Sequence, residues 1–235
     1  MSESGSPIGR RVFLGLVGAG ALGILFGSKL ADALSSLTKP ITSKDPTGLS
    51  SFLPVQGFRY YSVVGNFPSK SRTDYQLSVR GLVDKPYTLN YDSLLALPSV
   101  QLTKDFQCVT GWRVPDVKWR GVLLSTLLDR AGVQPTGKAL HFTSFDGTYT
   151  ESLTLDQARR PDVIVAYEME GGPITSEHGG PVRLYVAPMY GYKSCKWLDG
   201  IEVTDHVEQG YWEDEGYDVD GWVGRSNGRS DEPTS

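Results

Sequence analysis

The chain uses little cysteine and histidine, the residues that most often bind metals or attack substrates. It holds two cysteines and three histidines among 235 residues. No histidine lies three to five residues from another or from a cysteine, so a zinc site with locally spaced ligands is excluded. The P-loop pattern of nucleotide-binding enzymes is missing as well. Any metal in this protein must therefore be held by isolated residues or by a cofactor.

The chain also lacks an excess of positive charge. Its formal net charge is −4, so it has no electrostatic attraction for nucleic acid. With 39% hydrophobic and 11% aromatic residues it is globular rather than disordered. A length of 235 residues provides for one domain with a sizeable core after any N-terminal targeting segment.

The first 33 residues are typical of an export signal. Arg10 and Arg11 precede an apolar run from Val12 to Gly27, and Ala31-Asp32-Ala33 supplies an A-x-A cleavage site. Five glycines interrupt the run, which is shorter than the roughly 20 apolar residues that span a bilayer. The paired arginines resemble a twin-arginine signal, whose cargo is exported already folded; the alternative is an ordinary signal with two chance arginines. We expect an exported, periplasmic or extracytoplasmic protein, membrane-anchored only if the signal is retained.

The composition divides the remainder into three parts. Residues 34–57 form a polar linker, residues 58–224 a single globular domain, and residues 225–235 a disordered tail without apolar side chains. Hydrophobic periodicity within the domain predicts strands at 75–84, 138–145, 162–167, 181–188 and 198–203, and helices at 91–97, 121–133 and 155–159. Strands outnumber the short helices, which favours an α+β domain with mixed or antiparallel sheets.

The segment DFQCVTGWR, residues 105–113, places one of the two cysteines beside a glycine, a tryptophan and an arginine. An exported protein with an even cysteine count invites a Cys108–Cys195 disulfide. A buried structural thiol is a second interpretation. The third is a free thiolate, which the nearby cation of Arg113 would favour and which would suit a soft metal. The residues alone leave these three interpretations open.

The segment EGGPITSEHGGPVR, residues 170–183, concentrates four glycines. It follows a predicted strand but does not lead into a helix, so a dinucleotide-binding phosphate turn is disfavoured. One interpretation is a pair of tight turns. The other is a loop whose backbone approaches a ligand closely.

Three segments together resemble the molybdopterin domain of the sulfite oxidase family. They are DFQCVTGW at 105–112, KWRGVLLSTLLDRAGV at 118–133 and VAYEMEGGPITSEHGGPVRLYVAPMYGYKSCKWLDGIEV at 165–203. The likeness covers roughly residues 58–203 and is similar to the small exported bacterial branch that includes the catalytic subunit of periplasmic methionine sulfoxide reductase. It implies a sulfite-oxidase-type α+β fold and a molybdopterin-binding catalytic domain at 58–224.

The resemblance implies molybdenum and molybdopterin as cofactors, with the Cys108 thiolate bound to the metal. Cys195 is then a free thiol in the cofactor loop rather than a disulfide partner. The cofactor ends in a phosphate and needs cationic and backbone N–H partners. The positions that the family motif assigns to the pterin and the phosphate are Ser144, His178, Arg183, Ser194, Cys195 and Lys196, with Arg59, Tyr60 and Tyr61 in an upstream segment of open register.

The residues after Cys108 depart from both known substrate pockets of the family. Animal and plant sulfite oxidases carry C-A-G-N-R-R, with two arginines over an anionic substrate, whereas this chain has C-V-T-G-W-R. Trp112 thus replaces one arginine and Arg113 is kept. The sulfoxide reductase branch has a carboxylate two residues after the cysteine, where this chain has Thr110. We expect Cys108, Thr110, Trp112 and Arg113 to form the catalytic pocket, and a neutral sulfoxide or similar small S- or N-oxide to be favoured over sulfite.

The resemblance further implies two-electron oxygen-atom transfer at molybdenum, with electrons passed singly to or from a separate redox partner. A membrane haem protein or a quinone-linked protein would serve as that partner. The chain has neither a haem-binding segment nor room for a dimerisation domain, so we expect a monomer. The alternatives are a sulfite-oxidising enzyme and a non-catalytic exported scaffold stapled by a Cys108–Cys195 disulfide.

Overall fold

The computed structural model describes residues 57–231. The predicted export signal at 1–33 and all but the last residue of the predicted linker at 34–57 lie outside the described residues, as do residues 232–235. The chain divides into one unit that ends at Arg59 and another that begins at Tyr60. All helices and strands given below belong to the second unit. No helix in residues 57–231 is long and apolar enough to cross a membrane.

The described part of the chain contains ten strands and four short α-helices. The strands are β1 (Gln76–Gly81), β2 (Tyr87–Asn90), β3 (Val100–Gln107), β4 (Arg113–Leu123), β5 (Ala139–Ser144), β6 (Thr150–Thr154), β7 (Val163–Met169), β8 (Gly172–Pro173), β9 (Arg183–Val186) and β10 (Leu198–Thr204). The helices are α1 (Tyr91–Leu95), α2 (Leu124–Ala131), α3 (Leu155–Ala158) and α4 (Tyr211–Asp214), and a 3₁₀ turn covers Gly191–Lys193.

The strands form two sheets. The first has the order β2-β1-β10-β5-β6, in which β1 and β10 are parallel and the other pairs antiparallel. The second has the order β3-β4-β7-β8, with β9 also paired to β7, and all of its pairs are antiparallel. The prediction of an α+β domain with mixed and antiparallel sheets and short helices is confirmed.

Helix α2 shows how the local signals act. Leu124, Leu127 and Leu128 are fully buried and face the main core. The helix ends at Gly132, whose φ of +69° is the left-handed conformation that glycine accepts without strain. The sequence placed the start of this helix at Gly121, but β4 continues through Leu123, which pairs with Ile164 of β7. Sheet pairing therefore overrides helical periodicity in these three residues.

The segment after β10 packs against the β3–β4 hairpin. Val109, at the tip of that hairpin, forms a small core cluster with Tyr190, Tyr192 and Val223. The Tyr190 hydroxyl donates to the Asp231 carboxylate at 2.9 Å. Residues 225–231, which the composition assigned to a disordered tail, thus form turns that are hydrogen-bonded to the domain.

Candidate functional site

The turn between β3 and β4 presents the Cys108 thiol. The Cys108 amide donates to the Trp112 carbonyl at 2.9 Å, and the Gly111 amide donates to the Cys108 carbonyl at 3.0 Å. Gly111 has a φ of +99°, which strongly favours glycine. The Cys108 sulfur lies 3.2 Å from the Thr110 hydroxyl oxygen. The hairpin thus holds a half-buried thiol with a hydroxyl beside it.

The two cysteines do not form a disulfide. Both thiols are free, and Cys195 is fully buried in the main core. Its thiol donates to the Lys196 carbonyl at 3.4 Å. Burial, followed by the nearby Glu151 carboxylate, raises the pKa of the Cys195 thiol well above its ordinary value. Cys195 is therefore an unreactive thiol, whereas Cys108 is accessible.

Arg113 is paired with a carboxylate that the sequence analysis missed. Its guanidinium forms an ion pair with Asp105, whose side chain is 2% exposed. The other oxygen of Asp105 accepts from the Asp116 amide at 2.8 Å, and the Tyr185 hydroxyl donates to the Asp105 carbonyl at 2.7 Å. Because this buried carboxylate compensates the arginine, Arg113 offers little free positive charge to a substrate.

Trp112 belongs to a column of aromatic rings beside the Cys108 turn. Its ring centroid lies 6.4 Å from that of Tyr61 and 5.7 Å from that of Phe106, in stacked orientations. The guanidinium of Arg183 lies 5.4 Å from the Phe106 ring centroid. Tyr61 is exposed, so the column connects the surface with the buried arginine. Trp112 is thereby fixed as an apolar wall next to Cys108.

Arg183, the first residue of β9, ties two loops together. It is 3% exposed. Its guanidinium donates to the His178 carbonyl at 2.7 Å, to the Ser194 carbonyl at 2.9 Å and to the Leu184 carbonyl at 3.3 Å. Burial lowers its pKa to about 10. Three of the five guanidinium N–H donors are thus used on carbonyl groups, and two remain for a further acceptor.

Lys196 is a second cation close to Arg183. Its ammonium donates to the Tyr61 carbonyl at 2.9 Å and lies 4.7 Å from the Trp197 ring centroid. Burial and the charge of Arg183 lower its pKa to about 7. Within residues 57–231, neither cation has a carboxylate at ion-pair distance. This positive charge would favour a bound anion.

His178 lies in the same region. The Tyr60 hydroxyl is 3.4 Å from its Nε2 atom, and the two rings meet edge to face at 5.0 Å. Burial, then the charges of Arg183 and Lys196, lower the pKa of His178 to about 3. The imidazole is therefore neutral near pH 7 and can donate or accept a hydrogen bond without adding charge.

The hydroxyl groups of Ser144 and Ser194 support the backbone around these cations. Ser144 accepts from the Asp146 amide at 3.2 Å, and Ser194 accepts from the Val186 amide at 3.0 Å. One oxygen of Asp146 accepts from the Tyr149 amide at 2.8 Å. The other is buried and has no hydrogen-bond partner in the described part of the chain. Asp146 is thus an acceptor awaiting a donor, and its position two residues after Ser144 was the missed signal.

The glycine-rich loop approaches Lys196 closely. Gly179 has a φ of +92°, and a Cβ atom there would lie 2.6 Å from the Lys196 Cγ atom. The Trp197 amide donates to the Gly179 carbonyl at 2.9 Å. Of the two interpretations of this segment, close backbone packing is what the structure shows, and the packed neighbour is the lysine that lies near Arg183.

Gly179→Ala is expected to destabilise the fold by about 2–4 kcal/mol, because the new methyl group adds a clash to an unfavourable φ. Gly171→Ala is the matched control, since Gly171 has a φ of +78° with nothing within 4 Å of its Cβ position. We expect that control to lose only about 1 kcal/mol. Urea unfolding of both variants measures the difference. Equal losses would show that contact with Lys196 contributes nothing.

The remaining predicted site residue, Arg59, closes the preceding unit, and its place relative to the site stays a prediction. The structure brings the other predicted residues into two groups. The Cys108 turn with Thr110 and Trp112 forms one. The loops around Arg183 form the other, with Tyr60, Tyr61, Ser144, His178, Ser194, Cys195 and Lys196. No cluster of three or more histidine, cysteine or acidic side chains in residues 57–231 could hold a metal by itself.

A family model described as oxidoreductase molybdopterin binding domain matches residues 64–212. The oxidoreductase YuiH of Bacillus subtilis is 36% identical over 149 residues, which cover 63% of this chain and 75% of the relative. The protein-methionine-sulfoxide reductase catalytic subunit MsrP of Campylobacter jejuni is 29% identical over 232 residues, 87% of this chain and 76% of the relative. Sulfite oxidase of Arabidopsis thaliana is 29% identical over 177 residues, 61% of this chain and 45% of the relative.

Among solved structures, the sulfane dehydrogenase SoxCD of Paracoccus pantotrophus superposes with a TM-score of 0.57 at 27% identity. The likeness covers 61% of this chain and 41% of that chain. The fold of the described domain is therefore of the sulfite oxidase type. The family model covers more than half of the sequence, with the Cys108 turn and the Arg183 loops inside the matched range. The chain belongs to the sulfite oxidase family of oxidoreductases that bind molybdopterin.

Proposed function

We propose that this oxidoreductase transfers an oxygen atom at molybdenum from a neutral sulfoxide or a similar small S- or N-oxide. The observation that carries the substrate choice is the pairing of Arg113 with buried Asp105. Sulfite is a dianion and would need free positive charge at the pocket. The groups nearest Cys108 are instead the Thr110 hydroxyl and the Trp112 ring. Both suit an uncharged substrate with a polar oxygen and apolar substituents.

The donor groups fit the cofactor that the family binds. Cys108 would supply the metal with one soft thiolate ligand, because its thiol is free and accessible. Arg183 and Lys196 would hold the phosphate end, since their charges have no carboxylate partner in residues 57–231. Asp146 and His178 would accept from and donate to the pterin edge, with Ser144 and Ser194 keeping the loops in place. The bound cofactor supplies the two-electron redox chemistry.

The chain's own contribution to turnover is orientation of the substrate. Reduction of a sulfoxide consumes two electrons and two protons and yields a thioether and water. The Thr110 hydroxyl, 3.2 Å from the Cys108 sulfur, would donate to the sulfoxide oxygen. The Trp112 ring, held by Tyr61 and Phe106, would pack against the apolar substituents on sulfur.

Electrons would come from a separate redox partner, such as a membrane haem protein or a quinone-linked protein. The MsrP relative is named a catalytic subunit, which supports a partner of this kind. The twin-arginine motif at Arg10 and Arg11 supports export of the folded, cofactor-loaded protein to the periplasm. We further propose that the enzyme works as a monomer.

Steady-state assays on holoprotein from a molybdopterin-producing host test the substrate class. A reduced viologen dye supplies electrons to sulfoxides and N-oxides, and ferricyanide accepts electrons from sulfite. We expect kcat/KM for a sulfoxide to exceed that for sulfite by at least roughly tenfold, since one missing charge contact is worth about that factor. Rapid sulfite oxidation without sulfoxide reduction would overturn the proposal and assign the chain to sulfite oxidation.

A further inference from the structure

A cavity of about 450 Å³ adjoins the Cys108 turn. Val109 and Thr110 line one side, and residues 215–218 and 227–229 of the C-terminal segment line the other. The Thr110 hydroxyl oxygen that borders the cavity lies 3.2 Å from the Cys108 sulfur. A molecule held in this cavity is therefore placed directly beside the thiol.

The C-terminal wall of the cavity is built into the fold. The Tyr192 hydroxyl donates to the Asp218 carbonyl at 2.6 Å, and the Asn227 side-chain amide donates to the Tyr192 hydroxyl at 3.1 Å. The Asp218 amide donates to the Asn227 side chain at 2.9 Å, and the Asn227 amide donates back to the Asp218 carboxylate. The Tyr217 ring packs edge-on against Tyr192 at 5.4 Å. These contacts preform the wall before any ligand binds.

The wall carries charges of both signs. Arg229 reaches over the Cys108 turn, with its Nη1 atom 3.6 Å from the position that a Cβ atom on Gly111 would occupy. Glu215 and Asp218 border the same cavity. Among the residues that the structure describes, none of these three charged groups has an ion-pair partner. One cation and two carboxylates around one cavity complement a zwitterion rather than a dianion.

We infer that this cavity binds the charged end of an amino-acid sulfoxide. Arg229 binds the α-carboxylate, and Glu215 with Asp218 binds the α-ammonium group. The sulfoxide then lies against Thr110 and Cys108, where oxygen transfer takes place. The inference rests on the proposed function and deepens it, because it selects a zwitterionic free amino acid such as methionine sulfoxide over neutral sulfoxides and over sulfoxides inside a polypeptide.

The arginine that recognises the substrate thus comes from the end of the chain. The sequence comparison around Cys108 finds Trp112 where larger relatives have an arginine, and Arg113 is compensated by Asp105. Arg229 supplies positive charge to the same turn from 118 residues further along the chain. It is a specificity-determining residue of this chain's own C-terminal segment.

The test compares three substrates in the viologen assay with holoprotein: L-methionine sulfoxide, its uncharged N-acetyl amide and dimethyl sulfoxide. Arg229→Gln is expected to raise KM for L-methionine sulfoxide roughly 3- to 10-fold with little change in kcat, as expected for loss of a partly exposed charge contact. KM for the two uncharged substrates should stay within about twofold. Glu215→Gln should act in the same selective way. Arg225→Gln, an exposed arginine of the same segment outside the cavity, is the matched control and should change none of them.

A binding measurement gives a second readout independent of turnover. Calorimetric titration of each protein with L-methionine, the thioether product, should show a Kd raised by the same factor in Arg229→Gln and unchanged in Arg225→Gln. If all three sulfoxides are reduced but Arg229→Gln affects them equally or not at all, this inference fails and the proposed function stands. If no sulfoxide is reduced by any protein, the proposed function fails first. Preference for a sulfoxide within a neutral peptide would also overturn the zwitterion assignment.

Discussion

Cys108→Ser is expected to give a folded protein that has lost its molybdenum. A serine hydroxyl stays protonated near neutral pH and is a poor ligand for a soft metal centre, whereas a thiolate binds it well. We expect the molybdenum content per chain to fall more than about tenfold, measured by inductively coupled plasma mass spectrometry on protein from a molybdopterin-producing host. The free energy of unfolding of the metal-free chain should change by less than about 0.5 kcal/mol, because Cys108 lies outside the core clusters.

Cys195→Ala provides the control for this prediction. Cys195 is fully buried, so removal of its sulfur should cost about 1–2 kcal/mol through the cavity that it leaves. The molybdenum content should stay at the wild-type level. Loss of metal in Cys195→Ala and not in Cys108→Ser would reverse the assignment of the ligand. A loss of about 2–4 kcal/mol in both variants would indicate a disulfide instead.

The sequence reached most of the fold because its strongest patterns are local. The four-leucine pattern before Gly132 predicted α2, and the valines after Pro181 predicted β9. The end of α2 agrees with the prediction, since a glycine with positive φ terminates a helix by its own conformational preference. Its start was misplaced, because the pairing of Leu123 with Ile164 is a contact between distant segments that periodicity does not report.

The motifs also named the residues around Cys108 and Arg183 correctly as a group, but not their partners. Arg113 was expected to face the substrate, and the structure instead gives it the buried carboxylate of Asp105. Arg183 was expected at the phosphate, and three of its donors go to carbonyl groups. Charge and motif position identify a cation, whereas its hydrogen bonds depend on the register of a bulged hairpin and the path of two loops.

The C-terminal segment was the least predictable part. Residues 225–231 have no apolar periodicity, and composition alone favours disorder for such a stretch. They are held by polar contacts, including the hydrogen bond from Tyr190 to Asp231. Contacts of this type, between a tyrosine hydroxyl and a residue 41 positions away, leave no pattern in either segment.

A buried charge cluster joins this C-terminal segment to the loop around Arg183. The Lys193 ammonium donates to Glu151 and, at 2.6 Å, to Glu213. All three side chains are at most 1% exposed. The second oxygen of each carboxylate is buried and has no hydrogen-bond partner in residues 57–231. One ammonium thus serves two carboxylates, and burial, with Glu213 adding to it, raises the pKa of Glu151 well above its ordinary value.

Lys193→Met is expected to destabilise the protein by about 3–5 kcal/mol near pH 7, because it leaves two buried carboxylates without a cation. The loss should be smaller near pH 5. A carboxyl group whose pKa is raised in the folded state stabilises that state fully below its unfolded pKa, and this contribution disappears as the pH rises through the folded pKa. Stability should therefore fall with rising pH in this range, more steeply in the variant. Urea unfolding at several pH values from 5 to 8 measures both slopes.

Glu151→Gln tests whether the proton is held by this cluster. The amide keeps the shape of the side chain and leaves Lys193 with one carboxylate, so we expect stability within about 1 kcal/mol of wild type at pH 7. The slope of stability against pH between 5 and 8 should become flatter, since the group with the raised pKa is gone. An unchanged slope would place the proton elsewhere. Because Lys193 directly precedes Ser194 and Glu213 lies in α4, a cluster that behaves as expected would also explain how the loop beside Arg183 and the wall near Arg229 keep a fixed relation.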